Sequence, residues 1–223
     1  MIRLEQISKT YRGSRGTPSV DALHEISLHI AAGDFLAVTG GSGSGKTTLM
    51  NIVGCLDRPT SGSLRIDGCD PLALRDRPRS RLRGEKQGYI FQGFNLLHER
   101  TALENVMLPL SLRGLDRRTQ KQQAAHALEQ VGLGDRMHHR PGQLSGGQQQ
   151  RVAIARGIAC DTPIILADEP TGNLDPSAAG SIMDILQALN GRGVTILLIT
   201  HDPKIAAQAP RRAIMQDGKL TMQ

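Results

Sequence analysis

Hydrophobic and polar positions alternate over IRLEQI (2–7) and again over ISLHI (26–30), which predicts two half-buried strands. FLAVT (35–39), IILA (164–167) and TILLI (195–199) are continuous apolar runs, the pattern of strands covered on both faces. Helical spacing follows these runs in KTTLMNIVGCL (46–56), over 148–159 and over 177–189. SLRIDG (63–68) and GYIFQ (88–92) predict short strands, TYRGSRGTPS (10–19) a polar loop, and QDGKL (216–220) a closing strand and turn. Between 93 and about 150 the period changes. TALENVMLPLSLRG (101–114) and RTQKQQAAHALEQVGL (118–133) are both helical with no strand between them. Strands alternating with helices predict an α/β fold with a mostly parallel sheet, and the strandless stretch predicts an inserted helical lobe.

The 223 residues suit one large α/β domain or a domain with an inserted lobe. Only 2% of positions are aromatic and none is Trp, so the core has to be aliphatic. The net charge of +6 admits nucleic acid, an anionic membrane or an anionic small ligand. The densest basic run, LRDRPRSRLRGEK (74–86), carries no aromatic residue for base stacking, which argues against a single-stranded nucleic acid. It reads as a solvated, partly helical face. Cys55, Cys69 and Cys160 are unpaired in spacing, as expected of a reducing cytosol. The longest apolar runs fall far short of the ~20 residues that span a bilayer, and residues 1–5 resemble no secretion signal. A chain soluble by itself is the expectation, with any membrane role resting on a partner.

The candidate chemistry begins where FLAVT meets a glycine-rich stretch. Gly40, Gly41, Ser42, Gly43, Ser44, Gly45, Lys46, Thr47 and Thr48 have the P-loop spacing, between a strand and a helix. Such glycines let backbone N–H groups converge on phosphate oxygens, and the helix start adds positive potential. Lys46 is the candidate for the β- and γ-phosphates, and Thr47 for Mg²⁺. IILADEP (164–170) ends an apolar strand on two carboxylates, Asp168 suited to the Mg²⁺ shell and Glu169 to polarising an attacking water. LSGGQQQR (144–151) sets Ser145, Gly146 and Gly147 ahead of a helix, where bare amides could meet an anion. His138 and His139 have no partner at metal-ligand spacing and read as loop residues.

The order GGSGSGKT, FQ (91–92), LSGGQ, ILADEP, GNLD (172–175) and TH (200–201) resembles an ABC-type nucleotide-binding domain over nearly the whole chain. NIVGCLDRPTSG, FQGFNLL, TALENVMLPL, LADEPTGNLD and THDPKIAAQ further resemble the MacB/LolD-type branch, in a layout similar to its free-standing ATPase subunits. The resemblance implies a single domain, 1–223, built as a P-loop NTPase core (1–92 and about 151–223). It also implies an N-terminal antiparallel β subdomain and a helical signature lobe (about 93–150). It implies ATP and Mg²⁺ as ligands, with Thr47, Gln92 and Asp168 at the metal. Glu169 and His201 would be catalytic, His201 reaching the γ-phosphate. Leu144, Ser145, Gly146, Gly147 and Gln148 would act in trans, on the nucleotide held by a second copy packed head to tail. Asp175 would cross that dimer interface, and Tyr11, in a loop after the first strand, would stack on adenine.

The same resemblance implies an integral membrane permease subunit of the FtsX/MacB-like kind, with a periplasmic adaptor as a further partner and no nucleic acid. The domain would sit peripherally on the cytoplasmic face of a bacterial inner membrane. Gln92 and FNLLHERTALENV (94–106) border the expected docking groove, with Phe94, Leu96 and Leu97 as an apolar patch. A regulatory ABC ATPase acting on a signalling or cell-wall protein is the alternative. A soluble ABC ATPase acting on DNA or ribosomes fits less well, because the insertion lacks heptads and the chain carries a single cassette.

Overall fold

Ile2, Leu4 and Ile7 are all buried, although position 7 is out of phase with 2 and 4. Gln6, at φ 49°, inserts a bulge that resets the alternation, and the strand continues to Tyr11 as β1 (Ile2–Tyr11). Its antiparallel neighbour β2 (Val20–Ile30) does the same at Glu25, φ 47°, so that Leu23 points inward with Ile26, Leu28 and Ile30. The computed structural model describes residues 1–13 and 18–223. The middle of the predicted polar loop, 14–17, lies outside them. Tyr11 closes β1, paired with Val20, rather than standing in that loop.

The described residues divide into two units, 1–83 with 195–223, and 84–194. In the first, β4 (Ser61–Ile66) pairs with the other side of β1, completing an antiparallel N-terminal sheet in the order β2-β1-β4. A separate strand, β3 (Phe35–Thr39), is flanked on both sides by parallel partners, β7 (Thr195–Ile199) and β8 (Arg211–Gln216). The turn at 217–218 returns the chain as β9 (Lys219–Met222), antiparallel to β8. Helix α1 (Lys46–Val53) follows β3, and the four-residue α7 (Pro203–Ala206) follows β7. The unit boundary falls within α2 (Asp76–Lys86), which buries no residue, as the basic run predicts.

The second unit pairs β5 (Gln87–Ile90) in parallel with β6 (Ile164–Asp168). Four helices accompany them: α3 (Ala102–Leu112), α4 (Arg117–Gln130), α5 (Gly146–Ile158) and α6 (Pro176–Gly191). α3, α4 and α5 pack on one another, with Val106, Leu110, Ala124, Leu128 and Val152 buried. The fold is therefore α/β, with an antiparallel N-terminal sheet and mostly parallel strands elsewhere. Leu96 departs from its expected place in an apolar patch. It is buried at 7% exposure while Leu97 stays 49% exposed, so successive residues of this loop face opposite ways.

Candidate functional site

In the first unit the glycine-rich loop spans the end of β3 and the start of α1. Gly45, at φ 105°, is the N-cap of α1, and a Cβ there would lie 2.5 Å from the Ala22 carbonyl oxygen. Gly40 is fixed by packing, since a Cβ would come within 2.2 Å of the Met215 carbonyl oxygen. Gly41 is different. No heavy atom would lie within 4 Å of a Cβ on it, and its backbone is not left-handed. Neither packing nor conformation asks for glycine there.

Lys46 is buried to 9% exposure, and its ammonium donates to the carbonyls of Gly40 at 2.8 Å and Gly41 at 2.7 Å. That holds one positive charge inside the loop. Ser44 is buried beside it, whereas Gly41, Ser42, Gly43 and Thr47 are exposed and Thr48 is half-buried. The register of β3 on β7 pairs Val38 with Ile199, so two residues on, Gly40 and His201 leave neighbouring strands at the same end. His201 is exposed there, ahead of Asp202, whose carboxylate caps α7.

Tyr11 stands apart from the loop in sequence but is firmly held. Its hydroxyl donates to Asp57 at 2.9 Å, and the Lys9 ammonium lies 4.7 Å from the ring centroid while also pairing with Asp57 at 2.8 Å. Burial opposes charge on Asp57, but the hydrogen bonds from Lys9, the Arg58 amide and Tyr11 outweigh it and hold the carboxyl below its usual range.

In the second unit β6 delivers Asp168 and Glu169 at its carboxyl end, both half-buried, with Glu169 in a left-handed conformation at φ 48°. The chain then turns, the Gly172 amide bonding the Glu169 carbonyl at 3.1 Å. Asn173 Nδ2 donates to the Gln92 carbonyl at 3.2 Å, so Gln92, just beyond β5, is joined to the segment after the two carboxylates. Tyr89, on β5, has its phenol pushed far above the usual value, first by burial and then by the negative charge of Asp168. Asp175 is the N-cap of α6, accepting from the amides of Ser177 and Ala178 at 3.0 Å each.

LSGGQ forms the start of α5. Ser145 is its N-cap and makes a capping box with Gln148: Ser145 Oγ accepts from the Gln148 amide at 3.3 Å, and Gln148 Oε1 accepts from the Ser145 amide at 3.0 Å. Leu144 is buried and anchors the turn. The box serves the third amide of the helix and leaves those of Gly146 and Gly147 at its open end. A Cβ on Gly147 would sit tightly, 3.0 Å from Ala178 Cβ. One on Gly146 would make only ordinary contacts, 3.6 Å to Leu174 and 3.9 Å to Phe94.

Residues 23–172 match the ABC transporter family, more than half of the 223 positions. The chain belongs to the ABC transporter family. Similar ABC proteins include the macrolide export ATP-binding/permease protein MacB 1/2 of Paracoccus denitrificans, 50% identical over 99% of this chain. That match covers 33% of the relative, so the chain spans about a third of the length of the MacB proteins it resembles. The ABC transporter ATP-binding protein YknY of Bacillus subtilis is 46% identical, over 99% of this chain and 95% of its own length. Among solved structures, the ABC cassette MJ0796 in its dimeric form superimposes with a TM-score of 0.90 at 42% identity, over 99% of this chain and 96% of that one. A second MJ0796 structure, described as a post-hydrolysis state bound to ADP and Pi, gives 0.91 at 41%, over 100% and 98%. The MacB-like expectation stands at this level of likeness.

Within its units, then, this ABC chain assembles two groups. One joins the phosphate loop to His201. The other joins Gln92, Asp168, Glu169, Asp175 and the LSGGQ helix start. Sequence reasoning missed the cap formed by Ser145 and Gln148, although the S-x-x-Q spacing announces it. It also missed Asn173 and Arg156, whose acceptors are backbone carbonyls 81 and 61–62 residues away and leave no trace in sequence.

Proposed function

We propose that this chain binds and hydrolyses ATP as the nucleotide-binding subunit of a MacB/LolD-type ABC membrane complex, driving a separate permease subunit. The observation that carries the reading is a pair of glycines, Gly41 in the phosphate loop and Gly146 at the start of α5. Neither the backbone nor the packing requires either one, and both lie where a phosphate would approach bare amides. The likeness to MJ0796, whose structures are dimeric and in one case hold ADP and Pi, supports ATP as the ligand and a dimer as the working form; in our reading the two copies pack head to tail.

The residues suit a phosphate chain with a hard cation. The open space at Gly41 admits a phosphate oxygen, and the exposed Thr47 hydroxyl and the Asp168 carboxylate are oxygen donors of the kind Mg²⁺ prefers. Thr47, Asp168 and Gln92 would hold it, and Mg²⁺ would supply charge neutralisation of the phosphates. Lys46 exchanges its loop carbonyls for phosphate oxygens. Glu169 orients the attacking water and takes its proton, while His201 steadies the γ-phosphate. Ser145, Gly146 and Gly147 present the start of α5 to the nucleotide of the second copy, and Tyr11 stacks on the base. Asp175 lies at the dimer interface in addition to capping α6.

No helix among the described residues is long and apolar enough to cross a membrane. The proposed subunit passes its work to a permease partner through shape change. The relatives named for both ATP binding and permease activity support a permease partner. In our reading it is an integral membrane subunit of the FtsX/MacB-like kind, with a periplasmic adaptor as a further partner, and this chain sits peripherally on the cytoplasmic face of the inner membrane. Glu169→Gln tests the assignment. The expected variant binds ATP with wild-type affinity, turns over at under a hundredth of the wild-type rate and accumulates as an ATP-bound dimer in size-exclusion chromatography. Near-normal hydrolysis would refute it.

A further inference from the structure

Phe94 and Asn95 are consecutive left-handed residues, φ 44° and 50°, and neither is glycine. Two such residues in a row are held only where surrounding contacts impose them. The contacts here come from Arg156 on α5, whose guanidinium donates to the Phe94 carbonyl at 2.9 Å and to the Asn95 carbonyl. Burial holds the Arg156 pKa below the ordinary arginine range, so the two carbonyls replace water around its charge.

The loop is tied at further points. The Phe94 ring lies 3.9 Å from where a Cβ on Gly146 would stand, so it reaches the open end of the same helix that carries Arg156. Downstream, Asn105 of α3 is wholly buried. Its Oδ1 accepts from the Leu97 amide at 2.7 Å, and its Nδ2 donates to the carbonyls of Leu97, Arg100 and Thr101. Upstream, Gln92 is tied to Asn173 instead. Gly93 is joined to the loop by its carbonyl, which accepts from the Asn95 amide, while a Cβ on it would meet only Asn95 Oδ1 at 3.6 Å.

We propose that Arg156 is a positioning residue: by pinning the carbonyls of Phe94 and Asn95, it fastens the loop that follows Gln92 to the LSGGQ helix. Residues 94–97 are thereby held to α5, whose far half packs on β5, the strand leading into Gln92, where a Cβ on Gly157 would meet Ile90 at 3.4 Å. This rests on the function proposed above, since it gives Gln92 and Gly146 a shared mechanical connection during ATP turnover.

The test uses the full chain and three variants: Arg156→Lys, Arg156→Ala, and Arg156→Ala combined with Asn95→Gly. Lysine keeps the charge but lacks the planar fork that serves two carbonyls at once. In hydrogen exchange, Arg156→Ala is expected to speed exchange of the 93–97 amides at least tenfold while α5 keeps its protection. ATP turnover should fall about tenfold with the monomer's ATP affinity within twofold of wild type, and Arg156→Lys should lie between. Glycine adopts φ > 0 readily, so Asn95→Gly should recover at least half of the logarithmic loss in turnover, which it could not do if Arg156 merely filled space. Unchanged exchange at 93–97, protection lost evenly through α5, or no recovery by Asn95→Gly would each overturn the proposal. A wild-type chain that fails to hydrolyse ATP would overturn the proposed function instead, and the exchange measurement would still decide the role of Arg156.

Discussion

Gly146→Asp separates what α5 needs from what its open end does. Inside the chain the substitution is benign. A Cβ meets Leu174 at 3.6 Å and Phe94 at 3.9 Å, both ordinary contacts, and the backbone is not left-handed. A carboxylate in the first turn of a helix gains about 0.3–1 kcal/mol from the positive end of the dipole. The isolated chain should therefore melt no lower than wild type and up to about 2–4 °C higher. In the proposed dimer the same carboxylate faces the γ-phosphate of the other copy. One pair of like charges about 4 Å apart, at an effective dielectric constant of about 20, costs about 4 kcal/mol. Two symmetric sites double that to about 8 kcal/mol, which weakens ATP-driven association by a factor on the order of 10⁵–10⁶. The repulsion exceeds the local gain several-fold, so the variant should be stable and monomeric. The assay is sedimentation velocity with MgATP in a Glu169→Gln background, beside a thermal melt and an ATP titration of the monomer. Dimer formation at the wild-type ATP concentration would refute the trans reading. Loss of ATP affinity in the monomer would refute it differently, by showing that LSGGQ acts on its own chain's nucleotide.

Two further outcomes follow from the first unit. Tyr11→Ala should raise the ATP dissociation constant by roughly 5- to 150-fold, since stacking on an aromatic ring is worth about 1–3 kcal/mol per base; an unchanged constant in isothermal titration calorimetry would return Tyr11 to its structural role beside Asp57 and Lys9. Cys55 has its thiol pushed by burial from 9.0 up to about 11, against the opposing charges of Arg83 and Arg79. Its folded form binds the proton more tightly than the unfolded chain does, so its contribution is fully present below pH 9 and is lost as pH rises toward 11. Two pH units correspond to an upper limit of about 2.7 kcal/mol. Urea melts at pH 8 and pH 10.5 should differ less in Cys55→Ala than in wild type, and an equal alkaline loss in both would rule the thiol out.

Much of this was legible in sequence because it is local. The P-loop spacing, the apolar strand ending on Asp168 and Glu169, and the glycines of LSGGQ are short patterns whose chemistry lies within a few residues. The strands and helices were found where one face or both are apolar. What escaped had partners far along the chain. β8 shows in the sequence only as a closing strand and turn around 216–220, because its burial alternates over only Ala213 and Met215, yet it pairs in parallel with β3 along Leu36–Thr39. Position 7 of β1 looks out of phase until the bulge at Gln6 is known.

The two glycines at the centre of the proposed function divide the same way. The sequence alone placed Gly41 in a P-loop spacing and Gly146 in an LSGGQ run, because such patterns depend only on order and spacing. Only the tertiary structure could decide that they differ from Gly40 and Gly45, since the carbonyls of Met215 and Ala22 that crowd those two arrive from distant strands. In the same way, Leu96 and Leu97 are identical and adjacent in sequence, and the backbone path held by Asn105 is what turns one inward and the other out. Local patterns identify chemistry because a ligand reads a few neighbouring atoms. Packing and strain depend on which backbone arrives opposite, and that is set by the whole fold.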